Sequence, residues 1–206
     1  MVQTKPPTDE NPQATRWPSR SEAWELMTEY VKSESLRRHM LAVEVAVRAY
    51  ARRFDEDEER WGVVALLHDF DYEIHPTLDH HPQDGAPILR ARGYPEELIE
   101  SILSHADHLD IPRTTPLRKA LYAVDEVTGF ASAVALVRPD KRIASVTPAS
   151  FKKKMKDKAF ARAVSREDML RGAEELGVPF EEHVQLVVDA MATIADELGL
   201  AGQEGA

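Results

Sequence analysis

The chain has 206 residues, 43% hydrophobic and 30% charged, with 36 Asp and Glu against 26 Lys and Arg and a formal charge of −10. That length suits one large domain or two small ones, and the acidic balance argues against polymeric nucleic acid, whose phosphates demand surplus Lys and Arg. Cysteine is absent, which removes disulfides and thiolate metal sites. No apolar run reaches the ~18 residues of a membrane span and no secretory signal opens the chain, so no membrane partner is expected and cytoplasm is the expected compartment.

Residues 1–20, "MVQTKPPTDENPQATRWPSR", hold four prolines and almost nothing apolar, the composition of a flexible tail. A first short helix is expected behind Ser21 as N-cap. From Ser35 to Phe54 the apolar residues Leu36, Met40, Val43, Val47, Tyr50 and Phe54 fall on one helix face. Residues 57–69 are apolar nearly all round, as in a helix at the centre of a bundle. Residues 70–82 read as a polar, His-rich loop, followed by a helix over 83–92 that Gly93 stops. Another helix is expected from Pro95 to Asp107, and a longer one from the Thr115 cap, with Pro116 at its first position, to Val137. Further helices are expected over 149–163, over 166–176 with a capping box of Ser165 and Asp168, and over 180–198, closed by Gly199. No stretch alternates as a strand would, and neither a repeat nor a domain boundary interrupts the pattern. The expected fold is all-α, a single-domain helical bundle over 21–200, with its chemistry within 36–130 and C-terminal helices over 149–198.

The stretch "VVALLHDFDYEIHP" (63–76) runs five apolar residues directly into His68 and Asp69. His39, His68, His105 and Asp125 each occupy the apolar stripe of a different expected helix. A single inward histidine is ordinarily a satisfied core residue. An inward carboxylate is costly without a partner, and four such groups in a bundle, where facing side chains build metal sites, point to a shared cation. Only N and O donors are present, which suits Fe, Mn, Co, Ni or Zn, with Mg less favoured by so much imidazole.

An inward His, a His-Asp pair closing an apolar helix, and a downstream Asp resemble the HD superfamily of metal-dependent phosphohydrolases; here these are His39, His68, Asp69 and Asp125. The stretches "HHPQDGAPIL" and "ILSHADH" are similar to the extra histidines of its two-metal members, such as bacterial HD-type dinucleoside tetraphosphate hydrolases and cyclic-dinucleotide phosphodiesterases. The resemblance implies that His39, His68, Asp69 and Asp125 hold one divalent transition metal, that His81 and His105 hold a second, and that Asp69 bridges them. It implies phosphomonoester or phosphodiester cleavage of a small nucleotide or dinucleotide by metal-activated hydroxide, with Asp69 and His68 central to catalysis.

Several residues carry secondary readings. His80 is the alternative to His81, which stands four before Gly85 as in the tetraphosphate hydrolases. Where many two-metal relatives have a Lys after the pair, this chain has Asp71 and Glu73, either leaving-group acids or solvated loop acids. Lys119, six before Asp125, is placed to meet substrate phosphate. His108 is read as an outer partner of the centre or an exposed side chain, His75 as a loop residue, and His183 as a surface residue. Lys152, Lys153, Lys154, Lys156 and Lys158 form either a lid over phosphates or a solvated helix face. Two other activities share the ligand pattern: a mixed-valent di-iron oxygenase, and a non-hydrolytic nucleotide-binding regulatory module. Self-association into a homo-oligomer is left open by the sequence.

Overall fold

A computed structural model describes residues 16–202. The described residues form ten α-helices, and their only β-type pairing is an isolated bridge between Arg142 and Ala201. In chain order the helices are α1 (Arg20–Tyr30), α2 (Glu34–Phe54), α3 (Glu58–Leu67), α4 (Ala86–Ala91), α5 (Glu96–Leu103), α6 (Pro116–Leu136), α7 (Pro148–Met155), α8 (Arg166–Leu176), α9 (Phe180–Ala192) and α10 (Ala195–Leu198). The all-α expectation holds.

Helix α3 is the centre. Every residue from Trp61 to Leu67 is buried, because α1, α2 and α5 pack around it and leave no face for solvent. Each large apolar side chain buried there contributes roughly 1.5–3 kcal/mol. Helix α2 turns Met40, Val43, Val47 and Tyr50 into the same core, and also packs on α6 and α9. Helix α6, capped by Thr115 and opened by Pro116 as expected, buries Leu117, Leu121, Val124 and Phe130. Helix α8 closes against α6 at Gly172, where a Cβ would lie 2.6 Å from the Ala123 Cα.

Several boundaries differ from the sequence reading. The N-cap of α1 is Ser19, not Ser21, and Ser19 forms a reciprocal capping box with Glu22. The tail expectation fails over 16–20: the Arg16 N–H donates to the Gly93 carbonyl (3.2 Å) and Trp17 packs on the core. Residues 1–15 of that expected tail lie outside the described residues. The loop over 70–82 is not wholly solvated, since Phe70, Asp71 and His81 are buried. Helix α5 ends at Leu103, so His105 lies beyond it. The expected helix over 149–163 stops at Met155, and that over 180–198 breaks at Thr193 and Ile194. Ser165 caps α8 by accepting from the Asp168 N–H (3.2 Å), but its own N–H turns to Glu126 (3.3 Å) and not to Asp168, so the capping box is half made.

Candidate metal centre

Five segments converge on one point. Helix α2 supplies His39; the C-terminal end of α3 supplies His68 and Asp69; the turn before α4 supplies His81; the residue after the α5 C-cap supplies His105; and the middle of α6 supplies Asp125. Asp69 lies at the centre. Its Oδ2 is 3.7 Å from His39 Nε2 and 3.4 Å from His68 Nε2. Its Oδ1 is 3.2 Å from His81 Nε2 and 3.5 Å from His105 Nε2. Asp125 Oδ1 completes the first side, 3.0 Å from His39 Nε2 and 3.6 Å from His68 Nε2.

These separations, 3.0 to 3.7 Å, are close to those of donor atoms around a cation. Ligands at ~2.0–2.2 Å from one ion lie roughly 3.0–3.6 Å from each other. Two groups bring their donor atoms within 4.8 Å of one another, His39 with His68 and Asp69, and Asp69 with His81 and His105. One carboxylate thus offers one oxygen to each group.

The orientation of the imidazoles fixes which nitrogen faces inward. The Nδ1 of His68 is 2.7 Å from the Ala65 carbonyl, and the Nδ1 of His105 is 2.6 Å from the Ile102 carbonyl. A carbonyl only accepts, so each Nδ1 carries a proton and each Nε2 presents its lone pair to the centre. His68 Nε2 is fully buried and has no hydrogen-bond partner. A buried orphan nitrogen is costly, and a cation supplies what it lacks. The donor set therefore fits a divalent metal.

Comparison with known proteins bears on this arrangement directly. The profile of the HD domain matches residues 36–165, more than half of the chain. The chain belongs to the HD domain family. No curated protein and no solved structure matches it. The match spans every residue of the convergent cluster, and it runs past residue 130, where the sequence motifs end, through α7 to the turn before α8.

Electrostatics in this HD domain follow from packing carboxylates among imidazoles. Burial opposes the ionised form of Asp69, but the nearby His68 charge, at 3.4 Å, and the close approach of His81 outweigh it and hold Asp69 well below the usual carboxylate range. Asp125 is likewise held low, burial being overcome by His68 and His39. Burial lowers His68, yet the charges of Asp69 and Asp125 raise it well above an ordinary imidazole. His105 is pushed down, first by burial. Beside Asp125, Glu126 is raised to about 7 by burial and by the Asp125 charge. Without a cation, the charge of these carboxylates favours the protonated forms of His68 and His81.

The remaining sequence candidates separate clearly. His80 turns outward to Asp84 (2.6 Å), leaving His81 as the imidazole beside Asp69. Asp71 is neither a solvated acid nor open to a leaving group: it is buried, and it takes His81 Nδ1 at 2.9 Å and His75 Nδ1 at 3.2 Å. Glu73 is also away from the chemistry. It accepts from the backbone N–H groups of Lys32 (2.9 Å) and Ser33 (2.7 Å), tying the loop to the start of α2. Lys119 lines a separate recess of about 350 Å³ with Asp107, Asp110, Arg113 and Glu175, which none of the six candidate ligands lines. His108 is exposed, 3.4 Å from Gln83 Oε1. Among the clustered lysines, Lys152 pairs with Glu181 and Lys154 lies over the Phe160 ring.

Sequence reasoning missed two features. The first is Asp71 as a buried partner of His81; its signal was a carboxylate placed beside Phe70 and four before His75. The second is the network behind His105. Asp107 is bound by Arg113 (2.8 Å), by Arg171 and by the Tyr122 hydroxyl (3.1 Å), while the Arg113 guanidinium stacks 3.6 Å from the Tyr122 ring centre. These residues come from three segments, so no local spacing announces them. The cluster holds down the short turn that follows His105.

Proposed function

We propose that this HD domain is a phosphohydrolase with a dinuclear centre, acting on a small phosphate ester of nucleotide type. Family membership supports metal-dependent hydrolase chemistry in general, since most HD domains are phosphohydrolases. The observation that carries the finer reading is Asp69, whose two oxygens face two separate donor sets.

In this proposal His39, His68, Asp69 Oδ2 and Asp125 hold one divalent transition metal, and Asp69 Oδ1, His81 and His105 hold the other. Bound there, such cations lower the pKa of water to near neutrality and neutralise charge growing on phosphoryl oxygens. The protein's own part is positional. The Ala65 and Ile102 carbonyls keep the Nδ1 protons of His68 and His105, so that a bound cation would meet the lone pair of each Nε2. Asp69 and Asp125 provide the negative charge that favours cations over water. The low burial cost of α3's end follows from the same ions, which is why an apolar helix terminates in His68 and Asp69.

The test is turnover of metal-replete protein on a panel of nucleotides, dinucleotides and an aryl phosphate. Hydrolysis of at least one class is expected, and His68→Ala or Asp69→Ala should lower kcat/KM by about a thousandfold or more. Absence of turnover on every phosphoester at full metal occupancy contradicts the proposal.

A further inference from the structure

The reading above leaves one buried acid without a task. Asp71 is fully inaccessible to solvent, and its ion-pair partners among the described residues are two imidazoles, with no Lys or Arg between them. Its Oδ1 takes the Nδ1 of His81 at 2.9 Å, and its Oδ2 takes the Nδ1 of His75 at 3.2 Å. Donating Nδ1–H to Asp71 leaves the lone pair of His81 on Nε2, the atom 3.2 Å from Asp69 Oδ1. The backbone makes room for this contact. A Cβ on Gly85 would stand 2.7 Å from the Asp71 Cγ, so a larger residue where α4 begins would displace this carboxylate.

The two halves of the centre are also unequal. The first draws donors from His39, His68, Asp69 and Asp125; the second draws them from Asp69, His81 and His105 alone. In the second half His105 is held by a carbonyl of its own helix end, whereas His81 sits in a turn and depends on a side chain. We infer that Asp71 is a positioning residue for the second half: it fixes the His81 tautomer and ring, and thereby decides whether one ion or two are held. A carboxylate behind a ligating histidine orients the ring and raises its basicity, and removing it typically weakens metal binding by about 10–100-fold.

This inference rests on the dinuclear reading, and the two fail differently. Zn²⁺ is titrated into the full-length protein by calorimetry, with bound metal counted by elemental analysis. Two equivalents are expected for the wild type. Asp71→Ala should keep one tight equivalent and weaken the other by about 10–100-fold, and Gly85→Ala, which displaces the Asp71 carboxylate, should act in the same direction. His75→Ala, which leaves the Asp71–His81 bond in place, should still bind two. Two equivalents of unchanged affinity in Asp71→Ala overturn the inference alone; fewer than two in the wild type overturn it together with the dinuclear reading. Nitrogen-15 spectra of zinc-loaded wild type provide a check that needs no variant. The His81 proton is expected on Nδ1, and a proton on Nε2 overturns the assignment.

Discussion

His68 and His105 use the same device: each follows the last turn of a helix and spends its Nδ1 proton on the carbonyl three residues back. The chain was legible to the extent that apolar spacing marks these side chains as inward. Which nitrogen faces inward was not, because that depends on where a helix stops, and α5 stops earlier than its sequence pattern does. His183 shows the reverse error. Expected at the surface, it is buried, with Nε2–H donating to the Ala123 carbonyl (2.8 Å) and Nδ1 accepting from the Tyr50 hydroxyl (2.6 Å). Burial lowers it to about 4, with the nearby Arg53 charge acting in the same direction. Above pH ~6.5 it is neutral folded or unfolded and adds no pH dependence. As pH falls from ~6.5 toward ~4, only the unfolded chain takes the proton, so stability declines by up to about 3 kcal/mol. Urea midpoints at pH 7.5 and pH 5 should show about 2 kcal/mol of this loss in the wild type and a smaller one in His183→Gln. An equal slope in both proteins would remove His183 as the cause. Glu73→Ala should cost about 1 kcal/mol through two lost backbone caps and leave turnover unchanged, which thermal melts and the phosphoester assay would read together.

At the scale of elements, long periodic helices were recovered from sequence almost to the residue, as in α2 and α6, because one apolar stripe and one cap decide each. Short ones were overextended. The run after Met155 keeps helix-forming residues, yet Lys156 to Ser165 goes into turns, where the Arg166 guanidinium binds the Ala161 and Val164 carbonyls. Such a contact across the chain leaves no periodic trace. The α6–α8 junction makes an equally specific demand. Gly172 lies against the Ala123 backbone with no room for a Cβ. Alanine would gain about 1 kcal/mol in helix propensity, but forcing α8 away from α6 should cost more, on the order of 1–3 kcal/mol. A net fall in the denaturant midpoint of Gly172→Ala is therefore expected; a rise would mean that the helices separate without penalty.

At the scale of the molecule, the bundle brings five segments spread over residues 39–125 to one carboxylate. The family pattern named the six residues in order and implied Asp69 as the bridge; which Asp69 oxygen faces which donors, and the distances between them, belong to three dimensions. Since the ions would offset carboxylates and an orphan nitrogen in the core, binding them should stabilise the whole fold. At a free metal concentration 100 times Kd the gain is about 2.7 kcal/mol, or a rise in Tm on the order of 5–10 °C for a chain of this size. Chelation should reverse it, and a melting temperature indifferent to chelator would count against a centre that bridges these helices. The most direct measurement is anomalous scattering from a crystal of metal-loaded protein. Two peaks are predicted a few Å apart on either side of Asp69, one beside His39, His68 and Asp125 and the other beside His81 and His105. Absence of any peak, with these side chains paired only to one another, would contradict the account.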